Sequence, residues 1–549
     1  MPTQSSMPTQ SKPGFWLGLL SGLFLTFPLV AIFYLGYRQA ALPFPPFNLF
    51  DWQTRILPGS VLAKGIDTMV RIIGWFHVTN TSGVAKLAEQ WLAVSEFIFA
   101  GMVAGALFFT FLRLGNRRAS IRAGKLLGAV LGLAIAAVSN RIEAISTISP
   151  VARAVWIVVL FLAWGTALGW VYHRLVRDEV AAAMAGAAPA SGAERTCRRR
   201  FVARFAGIAG VITVVAAAVG KVSGRREAGA PGLGPQPWSA SHPLPNAGAA
   251  VQPAPGTRPE LTPVSQHYRI DINTSPPSIA EAAWRLKING LVAKPIEWTL
   301  ADLRSRPAMH QFITLSCISN TVGGDLIGTT RWSGVSLQQL LPELGLRPNA
   351  THLRVHSADG FYEVVALDAI REDGRVMLAY AWDGLPLPKQ HGFPLRIYIP
   401  DRYGMKQPKW IESIEAIDHW EPGYWVARGW DREARMKATS VIDSIATNMM
   451  ITQSTQEMRV PIGGIAHAGV RGISKVELRV DNGEWMPAEL RTSLSGQTWV
   501  IWRYDWPLQR GKHIFTVRCF EGDGTPQIAQ EAPPDPRGAT GLNTRSVML

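Results

Sequence analysis

The chain has 549 residues, of which 47% are hydrophobic and only 17% charged, with 55 Lys and Arg against 40 Asp and Glu. A charged share below the roughly 25% of an average soluble chain, at this apolar content, excludes a disordered chain and argues against an ordinary soluble enzyme. The first 226 residues carry 23 Lys and Arg but 8 Asp and Glu, and the remainder 32 of each. Because the excess charge punctuates apolar segments instead of covering a folded polar domain, it speaks for basic loops beside a membrane and against a nucleic-acid surface.

About 20 apolar residues are needed to cross the hydrocarbon core. Five stretches qualify for consideration: 15–37, 91–112, 126–148, 154–172 and 205–220. Residues 1–226 are therefore expected to form an α-helical transmembrane bundle. Residues 56–78 carry Lys64, Asp67 and Arg71 at helical spacing and read as an amphipathic helix in the lipid interface. Arg113, Arg117, Arg118, Arg122 and Lys125 fill one loop, and Arg174, Arg177, Arg195, Arg198, Arg199, Arg200 and Arg204 another. Positive loops face the cytoplasm, so the N-terminus is expected inside and everything after Gly220 outside, in the periplasm or extracellular space.

Arg198-Arg199-Arg200-Phe201-Val202-Ala203 stands just before the last of these stretches and resembles a twin-arginine export signal, which would imply export of an already folded, cofactor-loaded domain. Ordinary positive-inside punctuation explains the same arginines. Glu96, Arg141 and Glu143 fall near outer ends of spans, where they could pair, line an ion or quinone site, or snorkel to the interface. A membrane haem needs two axial ligands, usually His. His77 and His173 would lie on opposite sides and no CxxCH occurs, so no haem is expected in this chain.

Residues 227–262 are rich in Pro, Gly, Ala and Ser and read as an extended tether. Residues 263–440 mix short strands (312–315, 353–355, 395–399) with helix-like stretches such as 337–344, an α+β character. Residues 441–549 alternate as strands at 475–480, 498–506 and 513–520, with a turn signal at Asp481-Asn482-Gly483. About 100 residues of this pattern fit an all-β sandwich of immunoglobulin type.

The three cysteines, Cys197, Cys317 and Cys519, make no disulfide framework. Cys519 alternates with Val517 on an apolar strand face and reads as core. Cys317 ends the apolar run Ile313-Thr314-Leu315-Ser316 and admits three roles: a buried small hydrophobe, a nucleophile needing a His partner, or a thiolate ligand for a soft metal.

Three blocks bear on that choice. They are Leu315-Ser316-Cys317-Ile318-Ser319-Asn320 with Gly328-Thr329-Thr330-Arg331-Trp332-Ser333-Gly334; Leu378-Ala379-Tyr380 through Gly384-Leu385-Pro386-Leu387-Pro388 to His391-Gly392-Phe393-Pro394-Leu395-Arg396; and Tyr403-Gly404 through Lys409-Trp410-Ile411. In order and spacing they resemble the sulfite oxidase family of molybdenum–pterin enzymes, over residues 263–545. The resemblance implies a sulfite-oxidase-like molybdopterin domain in 263–440 and a dimerisation-type sandwich in 441–549. It implies that Cys317 ligates molybdenum, with Arg269, Ser319, Asn320, Asp359, His391, Arg396, Gln407 and Lys409 holding the cofactor. Tyr380, Arg269 and Arg537 would handle the substrate. Phosphate recognition by Arg, Lys and His donors agrees with ordinary charge-assisted hydrogen bonding.

Two departures stand out. Animal members follow the cysteine with Gly-Asn-Arg-Arg, whereas Thr321 and Val322 follow Asn320 here, so one anion-binding arginine is missing. The loop between Asn320 and Arg331 is also shorter and lacks the pocket tryptophan. The expected activity is two-electron oxygen-atom transfer to or from a small oxyanion such as sulfite, with electrons passing to a separate cytochrome or quinone. The alternatives are an S-oxide or N-oxide reductase of methionine-sulfoxide type, and a non-enzymatic membrane receptor with a β-sandwich ectodomain. Expected partners are that electron carrier, membrane lipid and a second copy through the sandwich, with no nucleic acid.

Overall fold

The computed structural model describes residues 13–58, 81–114, 120–143, 148–184, 206–207, 209–219, 236–452 and 458–549, with residues 61, 65, 68 and 72 singly between. They divide into two compact units. The first takes in residues 1–56, 87–232 and 273–275, and the second 57–86, 233–272 and 276–549.

The first unit is built from α1 (Phe15–Ala40), α2 (Pro45–Ile56), most of α3 (Thr81–Leu114), α4 (Ser120–Ile142), α5 (Pro150–Met184) and the short α6 (Ala209–Val219). Among the described residues, four helices are long and apolar enough to cross a membrane: α1, α3, α4 and α5 over 150–177. Of the five expected stretches, the last is represented only by α6, too short by itself to span. The expected interfacial helix at 56–78 and the double-arginine stretch lie almost wholly outside the described residues, as does His77.

Glycine stripes set how closely these helices approach, since backbones in lipid associate best where side chains are small. A Cβ at Gly18 or Gly22 of α1 would run into the backbone oxygens of Gly105 and Gly101 of α3, and a Cβ at Gly124 or Gly128 of α4 into those of Gly165 and Phe161 of α5. Phe33, Phe109, Ile157 and Leu168 fill the space between. The Glu143 carboxylate accepts from Asn48 at 2.8 Å and faces Arg153 at 3.7 Å, so this acidic residue is paired within the bundle.

Among the described residues, the second unit contains nineteen strands. The α+β part has β1 (Leu286–Gly290), β2 (Ile296–Trp298), β3 (Met309–Ser316), β4 (Ile327–Ser336), β5 (His352–Ser357), β6 (Tyr362–Ala366), β7 (Met377–Trp382), β8 (Leu385–Pro386), β9 (Arg396–Tyr398) and β10 (Ile411–Ile417). One sheet runs β2-β1-β10-β5-β6, with only β1 and β10 parallel; the other runs β3-β4-β7-β8, with β9 also on β7.

Two cores meet at β7. Leu378 and Tyr380 join an aliphatic core with Leu286, Ile288, Leu353, Val355 and Ile414. Met377, Ala379 and Trp382 join a second cluster with Ile313, Leu315, Cys317, Trp332 and Tyr268. Strict alternation would put Tyr380 and Trp382 on one face. A bulge breaks it: Ser333 pairs with Ala381 but Gly334 with Ala379, leaving Tyr380 as the extra residue. Gly334 is needed there, because a Cβ would collide with the Leu378 carbonyl.

The remaining strands are β11 (Thr439–Ile445), β12 (Ile451–Thr452), β13 (Met458–His467), β14 (Ile473–Val480), β15 (Met486–Pro487), β16 (Glu489–Leu490), β17 (Val500–Pro507), β18 (Lys512–Glu521) and β19 (Asn543–Met548). They form the sheets β11-β13-β17-β16 and β15-β14-β18-β19. Ile442, Val460, Ile462 and Trp502 from one meet Val476, Leu478, Phe515, Val517 and Cys519 from the other in a shared core, so two sheets pack face to face.

The Pro/Gly/Ala-rich stretch expected as a tether is held against this unit over residues 236–262. Arg331 lies 4.4 Å over the Trp238 ring, the Ser239 amide donates to the Asp383 carboxylate at 3.1 Å, and Glu260 pairs with Arg491 at 2.6 Å. One tryptophan and a few charged or polar anchors suffice to fix a segment that composition alone marks as flexible.

Candidate active site

Cys317 follows β3, where the chain leaves the sheet. Its amide donates to the Leu326 carbonyl at 2.9 Å and its Sγ lies 2.9 Å from the Ser319 hydroxyl. Burial pushes the thiol up from its ordinary value, and the Ser319 hydrogen bonds and the Lys409 charge work the other way. Asn320 closes the turn: its amide donates to the Cys317 carbonyl, and its Oδ1 accepts from the Leu326 amide at 2.9 Å.

Beside this turn lies a continuous aromatic and cationic cluster. Tyr268 stacks on His267, with ring centroids 5.2 Å apart; His267 meets Trp382 at 4.7 Å and His391 at 5.2 Å; Trp332 meets Trp382 at 4.8 Å. The Arg396 guanidinium lies 4.5 Å over Trp332 and donates to the His391 carbonyl at 3.1 Å. Burial and surrounding cations keep both histidines neutral, His267 down at about 3 and His391 well below its ordinary value.

Lys409 is buried between main-chain and side-chain acceptors. Its Nζ donates to Ile270 O at 3.1 Å, Asp271 Oδ2 at 3.2 Å and Gln390 O at 3.4 Å, and burial lowers it to about 8. Arg269 pairs with the same Asp271 at 2.8 Å. Asp359 sits in the β5–β6 turn, accepting from the Phe361 amide at 3.0 Å, and its charge is felt by Lys409. Gln407 donates to the Ile399 and Arg402 carbonyls at 3.3 and 2.9 Å.

Nine of the residues singled out in the sequence thus fall on the Cys317 turn, in this cluster or beside it: Cys317, Ser319, Asn320, Arg269, Asp359, His391, Arg396, Gln407 and Lys409. Two do not. Tyr380 shares the face of Leu378 in the aliphatic core, with Arg304 6.0 Å from its ring centroid, while the bulge places Trp382 on the other face. The Arg537 side chain is 79% exposed and its nearest acid is Asp431 at 3.9 Å. The tyrosines whose surroundings include the Cys317 charge are Tyr268 and Tyr403, both raised chiefly by burial. Gly538, next to Arg537, does pack against Tyr403, where a Cβ would come within 2.6 Å of the hydroxyl.

A pocket opens beside the Cys317 turn. Ser316, Asn320, Thr321, Tyr403, Lys437 and His467 help to line it, the last two coming from outside the blocks that the sequence marks. Among the described residues, neither ring nitrogen of the buried His467 has a hydrogen-bond partner; the Thr498 backbone approaches without completing one. Lys437 makes no ion pair among the described residues. No sequence signal marks these two residues, since ordinary β-strand and loop positions surround both.

Comparison with known proteins bears directly on this cluster. Residues 273–425 match the oxidoreductase molybdopterin binding domain. The chain is 27% identical over 285 residues to a sulfite oxidase of Arabidopsis thaliana, covering 44% of this chain and 72% of that one. It is 24% identical over 286 residues to the mitochondrial sulfite oxidase of Homo sapiens, covering 44% and 52%. Residues 273–425 are therefore a molybdopterin-binding oxidoreductase domain, and the chain is similar to sulfite oxidases.

Other similar proteins extend the range of names. The putative protein-methionine-sulfoxide reductase subunit YedZ1 of Azospira oryzae is 30% identical over 150 residues, 27% of this chain and 55% of that one. Among solved structures, the sulfane dehydrogenase SoxCD of Paracoccus pantotrophus superposes with a TM-score of 0.43 at 23% identity, covering 50% of this chain and 78% of that one. The chain thus spans little more than half the length of several relatives.

The residues present fit a molybdopterin group. Arg396 is buried yet makes no ion pair among the described residues, a state that calls for an anionic ligand. Among the described residues, His267 Nε2, Trp332 Nε1, Ser357 Oγ and Gln407 Oε1 are buried without hydrogen-bond partners. Buried polar atoms are normally satisfied, and the two orphans inside the aromatic cluster, His267 Nε2 and Trp332 Nε1, are what a polar ligand would complete.

Proposed function

We propose that this chain is a membrane-anchored molybdenum oxidoreductase acting on a small oxyanion such as sulfite, with the catalytic unit in the periplasm or outside the cell. The observation that supports it best is the buried, acid-free Arg396 beside the neutral His391 and His267, one tyrosine away from the Cys317 thiol. When bound, the molybdenum–pterin group would supply two-electron oxygen-atom transfer.

Cys317 would hold the metal through its thiolate, with Ser319 donating to the sulfur. Arg396, Lys409 and Arg269 would neutralise the anionic pterin and its phosphate, and His391, Asn320, Asp359 and Gln407 would fix its polar edges through hydrogen bonds. In place of Tyr380 and Arg537, Tyr403 and Lys437 would meet the substrate, the hydroxyl by hydrogen bonding and the ammonium by charge. Lys437 would also offset the arginine missing after Asn320.

The domain plan proposed is a membrane region at 1–226, a connecting stretch at 227–262, the molybdopterin domain at 263–440 and an immunoglobulin-like dimerisation module at 441–549. The N-terminus would be cytoplasmic, the arginines at 198–200 an export signal, and a separate cytochrome or quinone the electron acceptor. The likeness to a putative methionine-sulfoxide reductase subunit favours a second reading, reduction of an S-oxide in the same pocket.

The test is sulfite-dependent reduction of an artificial one-electron acceptor by protein of known molybdenum content. Turnover that vanishes in Cys317→Ser supports the sulfite reading. Full molybdenum without turnover overturns it, and methionine sulfoxide becomes the substrate to try.

A further inference from the structure

Within the second unit, one carboxylate faces three cations. Asp271 is buried, its side chain 1% exposed, and it meets Arg269 Nε at 2.8 Å, Lys409 Nζ at 3.2 Å and Lys86 Nζ at 3.2 Å. Burial would raise this carboxyl, but Lys86, Lys409 and Arg269 together hold it well below the usual carboxylate range. Lys86 is itself nearly buried, 9% exposed in its side chain, and also donates to the Asp271 main-chain oxygen at 2.8 Å.

Lys86 does not reach Asp271 alone. The Ser82 hydroxyl accepts from the Arg269 amide at 3.1 Å, and the Thr81 amide donates to the Asp325 carboxylate at 2.7 Å. Residues 81–86 are thus joined at three points to the segments that carry Arg269 and that follow Cys317.

The charge inventory gives this arrangement a purpose. Arg269 and Lys409 are two of the cations the pterin phosphate calls for, yet Asp271 competes for both. A buried carboxylate that loses its cations is strongly destabilising. Lys86 lies on none of the cofactor blocks and grips both oxygens available on Asp271, side chain and main chain.

We propose that Lys86 is the resident counter-ion of Asp271, a positioning residue that lets Arg269 and Lys409 turn to an anionic cofactor without stranding the carboxylate. This rests on the molybdopterin reading. It makes residues 81–86, which in sequence begin an apolar helix, part of the wall that holds the pterin.

The experiment uses the full chain and measures pterin per protein, by fluorescence after oxidative release, and the rate of pterin loss on dilution. Removing an outer partner that orients a ligand-holding residue commonly weakens retention about 10–100-fold. Lys86→Met is therefore expected to release pterin at least about 10-fold faster, and Lys86→Arg to stay within about twofold of the parent. The double variant Lys86→Met with Asp271→Asn is expected to recover most of the retention, because no charge then needs neutralising. A purely structural lysine would not be rescued in that way. Unchanged pterin loss in Lys86→Met, or a double variant as leaky as the single, overturns the proposal. Should Lys86→Met fail to fold, the double variant and Lys86→Arg still decide it. A parent protein free of pterin would overturn the molybdopterin reading itself, a result plainly different from selective loss in one variant.

Discussion

The two faces of β7 make opposite demands on their surroundings. On one face Leu378 packs among Leu286, Ile288, Leu353, Val355 and Ile414, apolar side chains that need nothing but each other. On the other, Trp382 packs with Trp332, His267 and His391, Arg396 lies over Trp332, and His267 Nε2 and Trp332 Nε1 have no hydrogen-bond partner among the described residues. An aliphatic core is complete as protein alone, because dispersion and burial are non-directional. A polar core with unmatched donors is complete only with something added. Where a core leaves buried charge unneutralised, its composition describes a ligand.

The contrast can be broken at several points. The largest effect is expected for Cys317→Ser, which should reduce turnover to background while the thermal midpoint stays near that of the parent; activity and melting measured together check it. On the aliphatic face, Leu378→Ala should cost about 2–5 kcal/mol of stability, read by denaturant titration, while pterin per folded molecule is unchanged. On the polar face, Arg396→Met should do the reverse. Losing a charge-assisted hydrogen bond worth about 1.5–3 kcal/mol should weaken pterin retention roughly 10–100-fold, with little loss of fold.

Lys409 sharpens the comparison through pH. Burial holds it down at about 8 against an ordinary 10.5. Its ammonium is therefore disfavoured in the cofactor-free fold, and between about 8 and 10.5 the unfolded chain binds the extra proton. The Lys409 contribution to stability should rise with pH across that window. Pterin retention should fall above about pH 8, as the ammonium that meets the phosphate is lost. Melting temperature and pterin content against pH should thus diverge; curves that fall together would contradict this role. The smallest effect is expected for Tyr380→Phe, which should change kcat and KM less than about twofold, since the ring packs in the aliphatic core. Steady-state kinetics beside Tyr403→Phe would separate the two tyrosines.

Much of the site was legible because its chemistry lies in unbroken blocks. Cys317 with Ser319 and Asn320, His391 with Arg396, and Lys409 each sit on a turn or strand end whose spacing carries the pattern. Tyr380 lies apart from the cluster because it shares the face of Leu378, while the bulge puts its neighbour Trp382 on the other. Alternation along β7 gives no hint of the bulge opposite Gly334, and one inserted residue reverses which face a side chain takes. Arg537 lies beside the relevant glycine but points to solvent. Lys86, Lys437 and His467 were invisible because only folding brings Lys86 to Asp271 and the other two to the pocket beside the Cys317 turn. The strands at 309–316, 352–357, 473–480 and 512–521 were anticipated within a few residues, while the connecting stretch at 236–262 was not, its order depending on distant anchors such as Arg331 and Arg491.

Residues 81–86 open α3 in sequence yet belong with the second unit, and Lys86 meets a residue 185 positions downstream. A soluble enzyme made by cutting the chain near residue 233 would therefore be an incomplete one. It would keep every residue of the molybdopterin blocks and still lack a lysine and a serine that touch Asp271 and Arg269. Such a truncated protein should fold around its two cores and leak its cofactor, and supplying residues 57–86 as a separate or fused segment would be the remedy. The boundary between anchor and enzyme does not follow the order of the chain.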